Sequence, residues 1–256
     1  MADKSTLTIS HRSYGRTRRF VVSIVTLLIF LGGAVAACLL MQHLLVNDSQ
    51  EKLMQQHFNE LEITTTPISE KERDEYTVPS DHPRYIYISS IGINKARIIA
   101  SGVKVAGISG QQQLDVPKNI GDVGWYNCQI NPVKEKRCAQ PTLPGAGDTD
   151  AATVLTGHTC FSRTTSCVFD NISKLKHGDQ VVIERGNGEK VKYTVRQVEI
   201  LPLTDVDMTK AMQPIEPGTE GLTLITCAGT YRGTVDANGV PTADKRVLVY
   251  AVREGV

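Results

Sequence analysis

The longest apolar segment of the chain lies near its N-terminus, and it constrains the possible fold more than any other feature. No residue from Phe20 to Met41 is charged, and the apolar run continues through Val46. As a helix rising ~1.5 Å per residue, this segment covers about 30 Å, the hydrocarbon thickness of a bilayer. Basic residues dominate the tail before it, so the positive-inside rule predicts a cytoplasmic N-terminus and an external remainder.

Two other interpretations of this segment remain open. Ala34-Val35-Ala36 resembles the site at which a secretory signal peptide is cleaved. Cys38 could also be a lipoprotein attachment site, although the residues after it stay apolar. We favour an uncleaved signal anchor, because the apolar run is longer than an ordinary signal-peptide core.

Composition divides the chain into four expected parts. We expect a cytoplasmic basic tail (1–19), a transmembrane signal anchor (20–46), a stalk and linker (47–81) and a folded domain (82–256). The stalk is predicted to be a short helix over 48–62, and the polar stretch 64–81 is predicted to be a linker. A formal net charge of +1 with 21% charged residues argues against a nucleic-acid-binding protein.

The folded domain reads as mainly β. Short runs rich in β-branched residues alternate with turn residues, and Gly186-Asn187-Gly188 separates two such runs as a hairpin requires. Many short strands with few helices predict a closed barrel or a sandwich, because a large sheet must protect its edges. The segment 127–149 has no strand or helix periodicity, and we assign it no activity.

Five cysteines follow the apolar segment, on the side where disulfides form. Cys128 and Cys138 are close enough in sequence to pair, as are Cys160 and Cys167, which leaves Cys227 over. The spacing of the cysteines around the Thr156-Gly157-His158 motif matches no common zinc pattern, so we expect no metal site.

Three strand ends carry residues suited to acyl transfer. Cys227 closes the run Thr223-Leu224-Ile225-Thr226-Cys227, His158 follows Thr153-Val154-Leu155-Thr156-Gly157, and Arg246 opens a third run. These residues supply a thiol nucleophile, a general acid/base and a permanent cation for an oxyanion, the requirements of chemistry through a thioester. Thr226, beside the nucleophile, is a candidate substrate contact. Lys245 and Arg232 are rival cations.

These motifs, in this order, resemble those of the sortases, the cysteine transpeptidases of Gram-positive cell surfaces. The resemblance is carried by Thr-Gly-His at 156–158, Thr-Leu-Ile-Thr-Cys at 223–227 and Lys-Arg-Val-Leu-Val-Tyr-Ala at 245–251, and it extends weakly back to Pro83. It implies an eight-stranded β-barrel as the catalytic domain. It also favours Arg246 among the cations, because the family's arginine directly precedes the last apolar strand.

The resemblance also implies a substrate class and partners. A sortase cleaves the Thr–Gly bond of a Leu-Pro-X-Thr-Gly-like signal on a surface protein and passes the acyl group to an amine of a cell-wall precursor or a pilin lysine. It implies no cofactor and no nucleic acid. Two alternatives remain: a membrane-anchored extracellular cysteine peptidase, and a surface-binding β-domain without catalytic activity.

Overall fold

A computed structural model describes residues 14–105, 112–130, 141–162, 164–231, 234–236 and 239–253. These residues form two compact units, the first ending at Ser49 and the second beginning at Gln50. The described part of the first unit belongs to one long helix, α1 (Tyr14–Glu60), which continues into the second unit. Apolar side chains such as Leu31, Val35 and Leu39 are exposed on it.

By length and composition, the described residues contain one helix able to cross a membrane, found within Leu31–Glu60. A single such helix near the N-terminus is consistent with a single-pass membrane anchor.

After the end of α1, the described part of the second unit is built from β-strands with two short α-helices and three single 3-10 turns. The helices are α2 (Glu70–Asp74) and α3 (Met208–Ala211). The described strands are β1 (Pro83–Ile88), β2 (Ile93–Ser101), β3 (Val103–Val105), β4 (Gln112–Leu114), β5 (Val123–Tyr126), β6 (Ala152–Gly157), β7 (Gln180–Arg185), β8 (Lys190–Pro202), β9 (Gly221–Ala228) and β10 (Lys245–Arg253).

Eight of these strands close into a barrel in the order β1-β2-β5-β6-β9-β10-β8-β7, while β3 and β4 form a separate two-stranded sheet. The β2–β5 and β6–β9 pairs are parallel, and the other barrel pairs are antiparallel. The barrel interior is filled by apolar side chains from all eight strands, including Trp125 and Tyr193. The prediction of a mainly β, closed eight-stranded barrel behind an N-terminal apolar helix is therefore confirmed.

The structure differs from the sequence expectation in the segment before the barrel. Residues 48–60 are the last turns of α1, not a separate short helix. The stretch predicted to be a linker contains α2, whose N-terminus is closed by a reciprocal capping box between Ser69 and Glu72. Tyr76 then donates a 2.6 Å hydrogen bond to the Ile98 carbonyl of β2. The predicted linker is therefore held to the barrel by a side-chain hydrogen bond, although its polar composition gives no indication of packing.

Candidate active site

Strand pairing brings the three predicted site residues to one edge of the barrel. Because β6 and β9 are parallel, both strands end at the same edge. Because β9 and β10 are antiparallel, β10 begins where β9 ends. The end of β6, the end of β9 and the start of β10 therefore adjoin one another, although 88 residues separate His158 from Arg246 along the chain.

The register places Cys227 directly opposite Arg246 in the β9–β10 ladder. Directly opposed residues point to the same face, with Cβ atoms about 5 Å apart. In the β6–β9 ladder Thr156 lies beside Ile225, so continuing the register by two residues brings His158 level with Cys227. Cys227 is half-buried and is a free thiol.

The hydroxyl of Thr226 on β9 makes hydrogen bonds to Gly157 and Thr159, the residues before and after His158. It donates to the Gly157 carbonyl at 2.7 Å and lies 2.6 Å from the hydroxyl of Thr159. Its single hydrogen is used on Gly157, so Thr159 is the donor in the second bond. The structure thus engages Thr226 in internal bonds, and its expected contact with substrate stays a prediction.

His158 is buried and neutral in this arrangement. Its Nε2 lies 2.8 Å from the Pro117 carbonyl, which can only accept, so Nε2 carries the hydrogen and Nδ1 carries the lone pair. Burial, opposed by the bond to Pro117 and assisted by the nearby His57, lowers the pKa of His158 to about 4. At neutral pH the ring is therefore neutral: its one hydrogen, on Nε2, is bonded to Pro117, and Nδ1 carries no second proton.

Arg246 is oriented by the loop that precedes β10. Its Nη1 donates to the carbonyls of Ala243 and Lys245, each at 2.8 Å, and its Nη2 donates to the Thr242 hydroxyl at 3.0 Å. These bonds hold the planar fork beside Cys227. Of the rival cations, Lys245 is exposed at the barrel edge, and Arg232 lies outside the described residues.

A disulfide joins Cys160 to Cys167 in the loop after His158. Asp170 accepts hydrogen bonds from the backbone N–H groups of both cysteines, at 2.6 and 2.8 Å. This carboxylate therefore braces the disulfide loop, and it does not orient His158. The described residues hold one group with metal-ligand geometry, formed by these same three residues, but its sulfurs are joined in the disulfide. Cys128 is also disulfide-bonded, and its expected partner Cys138 lies outside the described residues.

The last turns of α1 and the residues after them cover this edge of the barrel. We call residues 50–63 the cover segment. Its Met54 and Phe58 side chains are 2% and 1% exposed, and they share a cluster with Tyr231 into which Cys227 also packs. The Phe58 ring meets His158 edge-on, with centroids 5.5 Å apart. The proposed nucleophile and base thus lie under an apolar layer.

Hydrogen bonds attach the cover segment along its length. Gln50 makes two bonds to the backbone of Tyr231, accepting from its N–H at 2.5 Å and donating to its carbonyl at 3.4 Å. Glu51 accepts from the Ser162 hydroxyl at 2.7 Å, and Lys118 donates to the Leu61 carbonyl at 2.6 Å. The segment is therefore held by three loops, which follow β4, β6 and β9.

Sequence reasoning did not identify the cover segment as part of the site. The predicted stalk helix over 48–62 carries Leu53, Met54, Phe58 and Leu61 on one apolar face, but the sequence gives that face no partner. An apolar face on a helix needs a partner surface, and this signal could have indicated packing against the catalytic domain. The participation of His57 and Tyr231 had no local signal, because single residues of these types are common outside active sites.

Comparison with known proteins identifies the domain that carries this site. A family model described as the sortase domain matches residues 86–254, which include all three strand ends. No sequence among the curated proteins matches the chain.

Several solved structures resemble the chain. Sortase C-1 from Actinomyces oris is 24% identical, covering 67% of this chain and 73% of its own, with a TM-score of 0.40. The lid mutant of Streptococcus agalactiae sortase C1 is 18% identical, covering 83% and 90%, with a TM-score of 0.44. Sortase C from Clostridium perfringens SM101 is 19% identical, covering 82% and 90%, with a TM-score of 0.40.

Proposed function

Since the sortase domain spans residues 86–254, the chain belongs to the sortase family, and we propose that it cleaves a Leu-Pro-X-Thr-Gly-like sorting signal through a thioester on Cys227. The observation that carries this proposal is the shared strand edge, where Cys227 is paired in register with Arg246 and His158 is level with both. A free thiol in that setting differs from the disulfide-bonded cysteines nearby, because it can hold an acyl group.

The first half of the reaction forms the acyl-enzyme. His158 takes the proton of the Cys227 thiol, and the thiolate attacks the threonine carbonyl carbon. A C–S bond forms, and negative charge develops on the carbonyl oxygen. Arg246 donates to that oxygen from its fixed fork. The C–N bond to glycine then breaks, and His158 in its protonated form delivers a proton to the departing amine.

The second half returns the enzyme to its starting state. An amine of a cell-wall precursor or a pilin lysine attacks the thioester carbonyl and gives its proton to His158. The C–N bond forms, the C–S bond breaks, and Cys227 leaves as a thiolate. Neither half uses a cofactor. The partners are thus a surface protein with a C-terminal sorting signal and an amine acceptor.

The covered arrangement is a resting state in this proposal. Phe58 packs edge-on against His158, and Met54 belongs to the cluster that includes Cys227, so the cover segment occupies the surface that a peptide has to reach. Burial also keeps His158 neutral, whereas the leaving amine requires a proton from it. Movement of residues 50–63 therefore has to precede acylation.

The location follows from the apolar helix and the disulfide. We infer that residues 20–46 anchor the protein as a single membrane span, with the basic tail inside the cell and the barrel outside. The Cys160–Cys167 disulfide supports an oxidising environment for the barrel.

Cleavage of a fluorogenic sorting peptide by the full-length protein in detergent tests the proposal. We expect Cys227→Ala to abolish cleavage and leave the circular dichroism spectrum unchanged, since it removes the atom that holds the acyl group. Cys38→Ser, which changes the other free cysteine of the described residues, should retain full activity. Turnover above a few per cent in Cys227→Ala would exclude this nucleophile.

The same assay separates a transpeptidase from a peptidase. Adding a short oligoglycine amine should convert the hydrolysed product into an amide-linked product that mass spectrometry detects. Hydrolysis alone at saturating amine would instead indicate the extracellular peptidase.

A further inference from the structure

His57 is a buried imidazole on the cover segment with one ring nitrogen unsatisfied. The residue is 8% exposed. One ring nitrogen is hydrogen-bonded to the Pro241 carbonyl, and because a carbonyl only accepts, that nitrogen carries the hydrogen. Its Nδ1 is buried without a hydrogen-bond partner among the described residues. The ring therefore fits its place only in the neutral form, with the lone pair on Nδ1.

Titratable and charged groups face His57 from each element packed against it. Its own helix contributes Glu60, and the loop between β9 and β10 contributes Asp236 and Tyr231, whose ring centroid lies 5.8 Å from that of His57. Arg246 on β10 and His158 after β6 also interact with it electrostatically. On β9, the thiol of Cys227 packs against the same cluster as Tyr231.

Burial is the strongest of these influences on His57. Burial lowers its pKa, and Arg246 lowers it further, whereas the bond to Pro241 and the carboxylates of Asp236 and Glu60 raise it, with a net effect below the ordinary value. The carboxylates therefore only partly offset the removal of the ring from water.

We propose that His57 is a proton-operated latch, whose protonation releases the cover segment from the face of the barrel that holds Cys227. Protonation would give Nδ1 a hydrogen with no acceptor among the described residues, and it would place a buried cation near the permanent charge of Arg246. Release lets the imidazolium reach water. The latch controls access to the proposed nucleophile, so its biological role rests on the proposed function. The pH-dependent release of the cover segment does not require that function.

The direction of the pH dependence follows from proton binding. The closed form lowers the pKa of His57, and it lowers the pKa of His158 to about 4, so it holds fewer protons than a released form whose histidines have the ordinary value near 6.5. Closure is therefore strongest above about pH 6.5 and weakens as the pH falls below that value. Each histidine can increase the ratio of released to closed protein by up to about tenfold per pH unit.

Hydrogen exchange of the full-length protein in phospholipid nanodiscs tests the latch without requiring turnover. Exchange of residues 53–61, expressed as protection factors to remove the intrinsic effect of pH, reports release of the cover segment. Two variants separate charge from packing. His57→Phe keeps an aromatic ring against Tyr231 and Phe58 but cannot be protonated, and His57→Lys carries a permanent charge. His177→Phe makes the same change at an exposed histidine, and exchange of β9 reports the integrity of the barrel.

In the wild-type protein, protection of residues 53–61 should fall up to about thirtyfold between pH 6.5 and 5.5, because two histidines with a released-form pKa near 6.5 each contribute about fivefold over that interval. In His57→Phe the fall should be about fivefold or less, and His177→Phe should match the wild type. His57→Lys should lack protection of the segment even at pH 7.5, with β9 still protected.

Protection that is constant from pH 7.5 to 5.5, or an unchanged pH profile in His57→Phe, would overturn the latch. If His57→Lys unfolds the barrel, the comparison of His57→Phe with the wild type still decides the matter. A protein that cleaves the sorting peptide but exchanges without pH dependence refutes the latch alone. If the exchange of residues 53–61 depends on pH but the protein does not cleave the peptide, only the proposed function is refuted.

Discussion

Removal of the Phe58 ring should expose Cys227 to reagents without unfolding the barrel. Phe58 is 1% exposed, lies edge-on to His158, and packs in the cluster that includes Cys227. A buried Phe→Ala change costs about 3–5 kcal/mol, including the cavity that it leaves. The ring packs between the cover segment and the barrel. Its loss should therefore lower the free energy that holds the segment against the barrel, and leave the stability of the barrel itself little changed. At about 1.4 kcal/mol per tenfold, a loss of ~3 kcal/mol increases the released fraction about a hundredfold.

The rate at which a small neutral thiol reagent labels Cys227 measures that fraction. The full-length protein carries Cys38→Ser, so that Cys227 is the free thiol among the described residues. We expect Phe58→Ala to be labelled about a hundredfold faster at pH 7.5, with the thermal unfolding of the barrel little changed. Gln56→Ala, at an exposed position on the same helix, should label at the wild-type rate. A Phe58→Ala rate within twofold of wild type, or an equal increase in Gln56→Ala, would refute occlusion by Phe58.

Two further predictions concern charged residues of the barrel. Arg246→Ala should lower kcat for a sorting peptide about a hundredfold with a smaller effect on KM, since an oxyanion donor is worth about 3 kcal/mol, and Arg246→Lys should recover only part of the loss. An increase in KM at constant kcat would make Arg246 a substrate-binding residue instead. Glu220 is fully buried, accepts from the N–H groups of Gly145 and Gly147, and pairs with Arg253 at 3.1 Å. Glu220→Gln should lower the free energy of unfolding in urea by about 2–3 kcal/mol. This is less than the cost of breaking a fully buried ion pair, because Arg253 is partly exposed. An unchanged urea midpoint would contradict a structural role for Glu220.

Local sequence determined most of the strands and the identity of the candidate site residues. The run ending at Cys227 and the run beginning at Val247 are apolar and β-branched over several residues, and each is bounded by polar or turn residues, so each is recognisable alone. The Gly186-Asn187-Gly188 turn likewise joins β7 and β8 as predicted. No local period indicates β5, because its four residues are too few to show one.

Long-range strand pairing decided which strands are neighbours and therefore which side chains meet. The parallel ladder of β6 with β9 joins segments more than 60 residues apart, and no local period encodes which strand lies beside which. The role of Glu220 is similar, since a single acidic residue in sequence gives no sign that two glycine N–H groups and an arginine will enclose it.

The cover segment shows most clearly what the sequence determines and what only the tertiary structure determines. The sequence determined an amphipathic helix with Met54 and Phe58 on its apolar face, because side chains three and four residues apart share one side of a helix. It could not determine which surface that face would cover. Only the tertiary structure, by placing Tyr231, His158 and Cys227 on one barrel edge, supplied an apolar surface large enough to bury it.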